Sequence, residues 1–236
     1  MSLTIALSSF LMVVSGSQTV SVKEVSLRQL FVVGDSISIQ YGPYLEKYLS
    51  GVLGYDRKHD DGGAPAQAEV YEGTNGGDSR SVAGYLEARA RDDSFRPDFL
   101  LVNCGLHDIR RKLDGNLDYQ INPDDYRENL KRIYAVSREI GARLIWVRIT
   151  PVVDSIHNRP GMEFHRFSAD QEKYNGIADD FFKARDVPAV DLEAFTRRLG
   201  DGVFVDHVHF SDEVRALQAA FIAGFLFRYI ENHPSK

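Results

Sequence analysis

The chain has 236 residues, of which 43% are hydrophobic and 26% are charged, so it is long and apolar enough to fold as one globular domain over 1–236. Its formal net charge of −6 at pH 7, without a cluster of basic residues, argues against a nucleic-acid partner, because proteins that follow a phosphate backbone gather Lys and Arg into a patch. The single cysteine, Cys104, excludes an internal disulfide framework, and its apolar neighbours predict a position in the core.

Residues 1–25 form a possible N-terminal extension. Residues 3–14 are apolar enough for the core of a signal peptide, but no Lys or Arg precedes them. The run is also shorter than the ~20 residues that a membrane-spanning helix needs, so no stable membrane span is expected. The segment is either a cleaved signal or a retained strand or helix. The missing positive charge favours retention, and therefore a cytoplasmic over an exported protein.

Apolar runs typical of strands alternate with amphipathic stretches typical of helices along the rest of the chain. After an edge strand or extended lead-in at 19–25, strands are predicted at 30–33, 68–71, 99–103, 144–149 and 187–190. Helices are predicted at 41–53, 81–90, 122–141 and 168–184, and from about Ser211 onward. Such alternation favours right-handed crossovers and a parallel sheet covered on both faces. We therefore predict an α/β protein, a three-layer α/β/α sandwich of about five parallel strands in flavodoxin-like order.

The first of these strands ends abruptly in Gly34-Asp35-Ser36. The glycine allows a sharp turn, which delivers the Ser36 hydroxyl to the C-terminal end of a strand. In an open parallel sheet, ligands bind at this edge. Ser36 is therefore the candidate nucleophile, and it needs a base, a group that orients the base and donors for an oxyanion.

The segment 205–211, just before the last helix, offers that base. Asp206 stands three residues before His209, so a turn can bring its carboxylate to Nδ1 of His209. Nε2 of His209 is then left to accept the proton of Ser36. On this interpretation Asp206 fixes the tautomer and His209 moves the proton.

Three alternatives to this interpretation remain at this point. His207 is a rival base, because His207 and His209 would share a face of an extended segment. The same pair could hold a metal ion with further ligands from the cluster at 59–61, although a single pair does not identify such a site, and we predict no metal. Asp206 and His209 could also merely cap the last helix.

Four short blocks stand out by their order and spacing, although each is a weak signal alone: Gly34-Asp35-Ser36-Ile37, Gly76-Gly77-Asp78-Ser79, Gly105-Leu106-His107-Asp108 and Asp206 to His209. Together they resemble the SGNH hydrolases, also known as GDSL lipases and esterases, over 31–211. The resemblance implies the same sandwich fold and carboxylic-ester hydrolysis without a cofactor. It also implies that Ser36 is the nucleophile, that Gly77 donates a backbone N–H to the oxyanion, and that Asp206 and His209 complete a triad.

His107 departs from the pattern of the family, which usually has Asn at this position of the third block. The Asn side chain donates to the oxyanion, and an imidazole N–H can do the same. We therefore predict an oxyanion hole formed by the N–H groups of Ser36 and Gly77 and by His107. One alternative is that the role has been lost and that the enzyme is impaired, since the loss of such a donor costs ~100- to 1000-fold in turnover. Another, which the substitution makes conceivable, is a non-catalytic carbohydrate binder. Asp108 is predicted to hold nearby backbone N–H groups.

Two long loops at the catalytic edge, 110–120 and 154–167, carry basic and polar side chains that could select the substrate. Such groups suit a hydroxyl-rich or anionic alcohol portion better than a long alkyl chain, although ordinary solvation explains any one of them. The substrate-binding candidates are Arg110, Arg111, His157 and Arg159.

The predicted function is a serine esterase for small-molecule esters with short acyl groups, including acetylated carbohydrates. A lysophospholipase or thioesterase would use the same chemistry. A flavodoxin-like module for a nucleotide or flavin is disfavoured, because the first strand-to-helix turn lacks Gly-x-Gly-x-x-Gly and a P-loop lysine. The sequence leaves the oligomeric state open.

Overall fold

The computed structural model of the chain describes residues 27–59, 74–113 and 116–233. The N-terminal segment 1–25 and the strand predicted at 68–71 lie outside these residues. The strands of the described part are, in chain order, β1 (Gln29–Val33), β2 (Gly54–Arg57), β3 (Phe99–Val102), β4 (Arg111–Lys112), β5 (Arg143–Val147), β6 (Phe164–His165) and β7 (Ala189–Val190).

Five of these strands form one parallel sheet in the order β2-β1-β3-β5-β7. Counted along the chain, this is the order 2-1-3-4-5 of a flavodoxin-like fold. Consecutive residues of β1, β3 and β5 are buried, as expected of strands whose two faces are both covered. The predicted fold class is confirmed.

The helices pack in two groups that complete the layers. α1 contacts α7, and α3 contacts both α2 and α5. A short 3₁₀ turn, Asp201–Val203, precedes the last helix. The helix bounds are α1 (Ser36–Leu49), α2 (Ser79–Ala90), α3 (Pro123–Glu139), α4 (Asp154–His157), α5 (Ser168–Lys183), α6 (Leu192–Arg197) and α7 (Asp212–Asn232).

The first helix and the strand after it differ from the prediction. The helix predicted at 41–53 begins five residues earlier, because Asp35 caps it, and it ends at Leu49. β2 follows with the sequence Gly-Tyr-Asp-Arg and lies at the edge of the sheet. An edge strand with so few apolar residues lacks the hydrophobic signal by which buried strands are predicted.

A second, two-stranded sheet joins the two long loops at the catalytic edge. β4 and β6 pair in antiparallel register, with Arg111 opposite His165 and Lys112 opposite Phe164. The sequence predicts loops for both segments, because strands of two residues are too short for a periodic pattern. This small sheet determines which side chains of the loops face the site.

Candidate active site

Ser36 is the first residue of α1, after a two-residue turn from the end of β1. The Asp35 side chain caps the helix by accepting a hydrogen bond from the Ile37 N–H at 3.0 Å. The Ser36 N–H belongs to the first turn, where N–H groups have no acceptor within the helix. Ser36 therefore presents a hydroxyl and a backbone donor at the positive end of a helix dipole.

The structure brings His209 and Asp206 to Ser36. Ser36 Oγ lies 2.9 Å from Nε2 of His209, and Nδ1 of His209 lies 2.7 Å from Oδ2 of Asp206. An ionised carboxylate only accepts, so Nδ1 carries the imidazole proton and donates to Asp206. Nε2 is then the acceptor for the Ser36 hydroxyl. We call this arrangement the Ser36–His209–Asp206 relay.

The Asp206 carboxylate is held by the turn that it begins. Its Oδ1 accepts hydrogen bonds from the N–H groups of Val208 at 2.7 Å and His209 at 2.8 Å. Partial burial acts to raise the pKa of Asp206, but the two backbone donors and the His209 imidazole outweigh it and hold the pKa below its ordinary value. Asp206 therefore stays anionic and can stabilise an imidazolium at position 209.

His207, the rival base, lies beside the relay. Its Nδ1 is 3.9 Å from Oδ1 of Asp206, and its ring centroid is 6.2 Å from that of His157 in an edge-on arrangement. A bridge between residues 204 and 210 folds this segment back on itself, so the two histidines are not on one face of an extended strand. The geometry favours His209 over His207 as the base.

The described residues place no metal-ligand set around the two histidines. The ring centroids of His207 and His209 are 6.4 Å apart, and no group of three or more His, Cys, Asp or Glu side chains in the described part could hold a metal ion. His59 contacts Asp56 at 2.7 Å, and the other members of the suggested cluster, Asp60 and Asp61, lie outside the described residues.

Gly76 and Gly77 bring the loop before α2 against the loop after β1. The Gly76 N–H donates to the Gly34 carbonyl at 2.8 Å, and a side chain at position 76 would lie 3.0 Å from the same oxygen. Gly77 has φ +70°, a conformation that favours glycine. Both the close approach and the tight bend expected of adjacent glycines are present.

The three predicted oxyanion donors lie around this junction. Ser36 and His107 both line the same cleft, and the Gly77 N–H donates to Oδ1 of Asn75 at 2.9 Å. A developing oxyanion would have to replace the Asn75 oxygen as the acceptor of that N–H. Asn75 lines the cleft too, and it is not among the predicted site residues, although it stands only two residues before Gly77.

His107 is buried beside two arginines. Burial lowers the pKa of His107 to about 3, and the charges of Arg110 and Arg166 act in the same direction. The imidazole is therefore neutral at ordinary pH and has one N–H to donate.

Asp108, next to His107, holds the start of α2. Both of its carboxylate oxygens accept from the Ser79 N–H, at 3.1 and 3.0 Å. Burial, with Asp78 nearby, raises the pKa of Asp108 to about 7 despite the hydrogen bonds from Ser79. This contact agrees with the predicted structural role, and it fixes the third block against the second.

A cleft of about 290 Å³ opens over the relay. Polar and apolar surface line it in similar measure, and the small β4–β6 sheet contributes one of its walls through residues at and beside the two strands. Its lining in the described part of the chain consists of Asp35, Ser36, Asn75, Leu106, His107, Arg110, Phe164, Arg166, His207, Val208 and His209.

Of the four substrate-binding candidates, the structure brings Arg110 to the cleft and not the other three. Successive residues of a strand point to opposite faces, so Arg111 points away from the face that Arg110 presents. His157 is buried behind His207, and Arg159 is exposed outside the lining. Charge alone could not separate them, because the pairing of β4 with β6 decides which loop residues face the cleft.

Arg111 instead anchors the β4–β6 sheet to α5. Its Nε and Nη2 donate to the two carboxylate oxygens of Asp170, each at 2.8 Å, and the Tyr119 hydroxyl donates to Asp170 at 2.8 Å. The Arg111 guanidinium also lies 3.7 Å from the centroid of the Tyr119 ring. The bidentate pair is largely buried, so it contributes more than an exposed ion pair would.

Asp170→Ala is expected to lower the free energy of unfolding by about 2–4 kcal/mol, because it leaves the Arg111 charge without its partner. Chemical denaturation measures the change. The matched control is Glu128→Ala, which removes an exposed pair with Lys131 at 2.7 Å and should change stability by less than about 0.5 kcal/mol. Equal losses in the two variants would contradict the anchoring role.

The family of the chain follows from its sequence. A sequence model described as the GDSL-like lipase/acylhydrolase family matches residues 32–217, which include all four blocks. The chain belongs to this family, and it is therefore a carboxylic-ester hydrolase. No curated protein matches the chain. Within the described residues, no helix combines the length and apolarity that crossing a bilayer requires.

Solved structures share the fold at low sequence identity. The lipase/acylhydrolase from Enterococcus faecalis is 17% identical, with a TM-score of 0.58, and the match covers 89% of this chain and 100% of that one. The acetylxylan esterase Axe2 from Geobacillus stearothermophilus is 19% identical (TM-score 0.57, 86% and 94% covered). The psychrotrophic esterase EstA from Pseudoalteromonas sp. is 13% identical (TM-score 0.58, 86% and 99% covered).

Proposed function

We propose that this protein is a serine esterase that cleaves short-acyl esters, including acetylated carbohydrates, through the Ser36–His209–Asp206 relay. The observation that carries the proposal is the continuous path from Ser36 Oγ to Nε2 of His209 at 2.9 Å and from Nδ1 to Asp206 at 2.7 Å. A serine hydroxyl is a weak nucleophile until an adjacent base removes its proton, and this path supplies that base.

The reaction proceeds in two halves. His209 takes the proton of Ser36 while Oγ attacks the ester carbonyl, and Asp206 stabilises the imidazolium that forms. His209 then gives the proton to the departing alcohol, which leaves an acyl group on Ser36. Water, deprotonated by His209, attacks this acyl-enzyme, and the acid departs as His209 returns the proton to Ser36 Oγ.

Three donors stabilise the oxyanion in each half of the reaction. The Ser36 N–H lies in the first turn of α1, and neutral His107 contributes an imidazole N–H. The Gly77 N–H gives up its hydrogen bond to Asn75 Oδ1 and donates to the oxyanion instead. Donors fixed before the reaction are effective because they do not have to reorganise as charge develops. The burial of His107 and the fixed backbone around Gly77 support this assignment.

The preference for short acyl groups rests on the limited volume of the cleft, about 290 Å³, and on its few apolar lining residues, Leu106, Phe164 and Val208. Ser36, Asn75 and several His and Arg side chains surround it, whereas a site for long acyl chains needs extended apolar walls to gain about 0.8 kcal/mol per buried methylene. The similarity in fold to Axe2, an acetylxylan esterase, and to EstA, an esterase inhibited by monoethylphosphonate, supports the same choice.

A panel of 4-nitrophenyl esters from acetate to laurate tests the proposal. We expect kcat/KM to be highest for acetate to butyrate and to fall at least about tenfold by octanoate, because the added methylenes find no apolar surface. Acetylated xylan and acetylated monosaccharides extend the panel to carbohydrates. A rate that rises towards laurate would assign a lysophospholipase or thioesterase instead. No hydrolysis of any ester would assign the non-catalytic binder.

A further inference from the structure

Two arginines face each other across the β4–β6 sheet at the wall of the cleft. The register that pairs Lys112 with Phe164 places Arg110 opposite Arg166 when it is continued past the strand ends. Side-chain alternation puts both guanidinium groups on the face of Phe164, and they lie 4.4 and 4.7 Å from the centroid of its ring. Like charges directly opposite each other are unfavourable across a strand pair.

Arg166 is the more unusual of the two, because it is only 2% exposed. Its Nε donates to the Leu106 carbonyl at 2.6 Å, while its buried Nη1 has no hydrogen-bond partner and no carboxylate of the described residues pairs with it. Burial lowers the pKa of Arg166 to about 9, and Arg110 adds to the effect while the Asp35 carboxylate opposes it, so the guanidinium is still charged at neutral pH. A buried guanidinium N–H without an acceptor is destabilising, and its place at the wall of a cleft indicates a ligand that supplies one.

The remaining lining groups leave Arg166 Nη1 without an acceptor. Asp35 is the one carboxylate among the described residues that line the cleft, and its charge acts to raise the pKa of Arg166, but no hydrogen bond joins the two side chains. His107 is neutral, and burial lowers the pKa of His207 from its ordinary value. The wall of the cleft beside Ser36 therefore presents a charged guanidinium, Arg166, with an N–H that has no acceptor.

We propose that Arg166 and Arg110 bind an anionic group, a carboxylate or a phosphate, on the ester that Ser36 cleaves. This inference rests on the proposed function and narrows its substrate class to anionic esters. A planar guanidinium can donate two parallel hydrogen bonds to a carboxylate or to a phosphate. Arg110 is partly exposed and lies on the solvent side of Arg166. The bound anion would accept a hydrogen bond from Nη1 of Arg166 and would reduce the repulsion between the two guanidinium groups.

A matched pair of acetate esters tests the inference. The anionic substrate is 4-acetoxybenzoate and the neutral one is its methyl ester, which has the same acyl group and the same aromatic frame. Each kcat/KM is divided by the rate constant of the same ester with hydroxide, which removes the difference in intrinsic reactivity. We expect the native enzyme to prefer the anionic ester about tenfold to a hundredfold. 4-Acetoxyphenyl phosphate with its dimethyl ester repeats the comparison and tells a phosphate site from a carboxylate site.

Substitutions then assign the preference to the two arginines. Arg166→Gln and Arg110→Gln should each reduce the anionic-to-neutral ratio about tenfold or more, and Arg166→Lys, which keeps the charge and loses the fork, should reduce it less. Arg127→Gln, an exposed position on α3 outside the cleft, is the control and should leave the ratio unchanged. Because Arg166 is buried, thermal unfolding checks each variant, and the half-buried Arg110 supplies a second test if Arg166→Gln does not fold.

The outcomes separate the inference from the proposed function. A native enzyme that hydrolyses both esters with a ratio near one, or a ratio that neither arginine variant moves, would overturn the inference and leave the esterase intact. A protein that hydrolyses neither ester would contradict the esterase. Calorimetric titration with 4-hydroxybenzoate and with 4-hydroxybenzamide then decides the anion site by itself: preferential binding of the anion, lost in Arg110→Gln, supports it, and equal or no binding overturns it.

Discussion

Replacing Ser36 with alanine is expected to lower kcat for 4-nitrophenyl acetate by about 10⁴-fold or more. The variant keeps the oxyanion donors and the cleft but has no oxygen to attack the carbonyl, so no acyl-enzyme can form. Initial rates at saturating substrate, with the enzyme-free rate subtracted, measure the loss. Intact-mass spectrometry after treatment with a phosphonate ester adds a second readout, because only the native protein should gain the mass of the inhibitor.

The control for this experiment is Ser94→Ala, which removes the hydroxyl of an exposed serine whose Oγ donates to Asp92 at 2.6 Å. It should hydrolyse the ester at the native rate. His209→Ala should lose about as much activity as Ser36→Ala, and the double variant should lose little more, because the two residues act as one unit. A Ser36→Ala protein with native turnover would refute the relay, and a larger loss in His207→Ala than in His209→Ala would make His207 the base.

Replacing His107 with alanine is expected to lower kcat by about 10²- to 10³-fold with a small change in KM, because an oxyanion donor acts mainly in the transition state. His107→Asn restores a side-chain N–H of the kind usual in the family and should recover most of the activity. Steady-state kinetics of the two variants on 4-nitrophenyl acetate measures the difference.

The pH profile distinguishes a neutral donor from a charged one. Since the pKa of His107 is lowered to about 3, the native imidazole does not titrate between pH 5 and 9, and His107→Asn should have the same profile shape as the native enzyme. A limb of the profile that disappears in His107→Asn would mean that the histidine acts as an imidazolium. Unchanged kcat in His107→Ala would leave it with a structural role only.

The central strands of the fold could be predicted from the sequence because each is a short apolar run between turn residues. The family could be predicted as well, since its blocks combine glycines at tight turns with chemically reactive side chains. The structure brings the predicted Ser36, His209 and Asp206 within hydrogen-bonding distance of one another, and their roles remain predictions until the variants are measured.

The wall of the cleft could not be predicted, because it depends on contacts between residues far apart in the chain. Arg110 and Arg111 are neighbours with the same charge, yet pairing with β6 turns the first towards the cleft and the second towards Asp170. Arg166 was one of several basic residues in a long loop, and nothing local distinguished it. The place of Asn75 in the site likewise follows from the hydrogen bond that it accepts from the Gly77 N–H, which only the structure shows.

The relay joins residues that are 173 positions apart, while its acid and base are only three apart on one turn before α7. During synthesis Ser36 therefore emerges well before the two side chains proposed to activate it. The hydrogen bonds of the relay need residues 206–209 as well as β1 and α1, and α7, which follows those residues, packs against α1. We therefore expect ester hydrolysis only from a chain in which both segments have been made and have folded together.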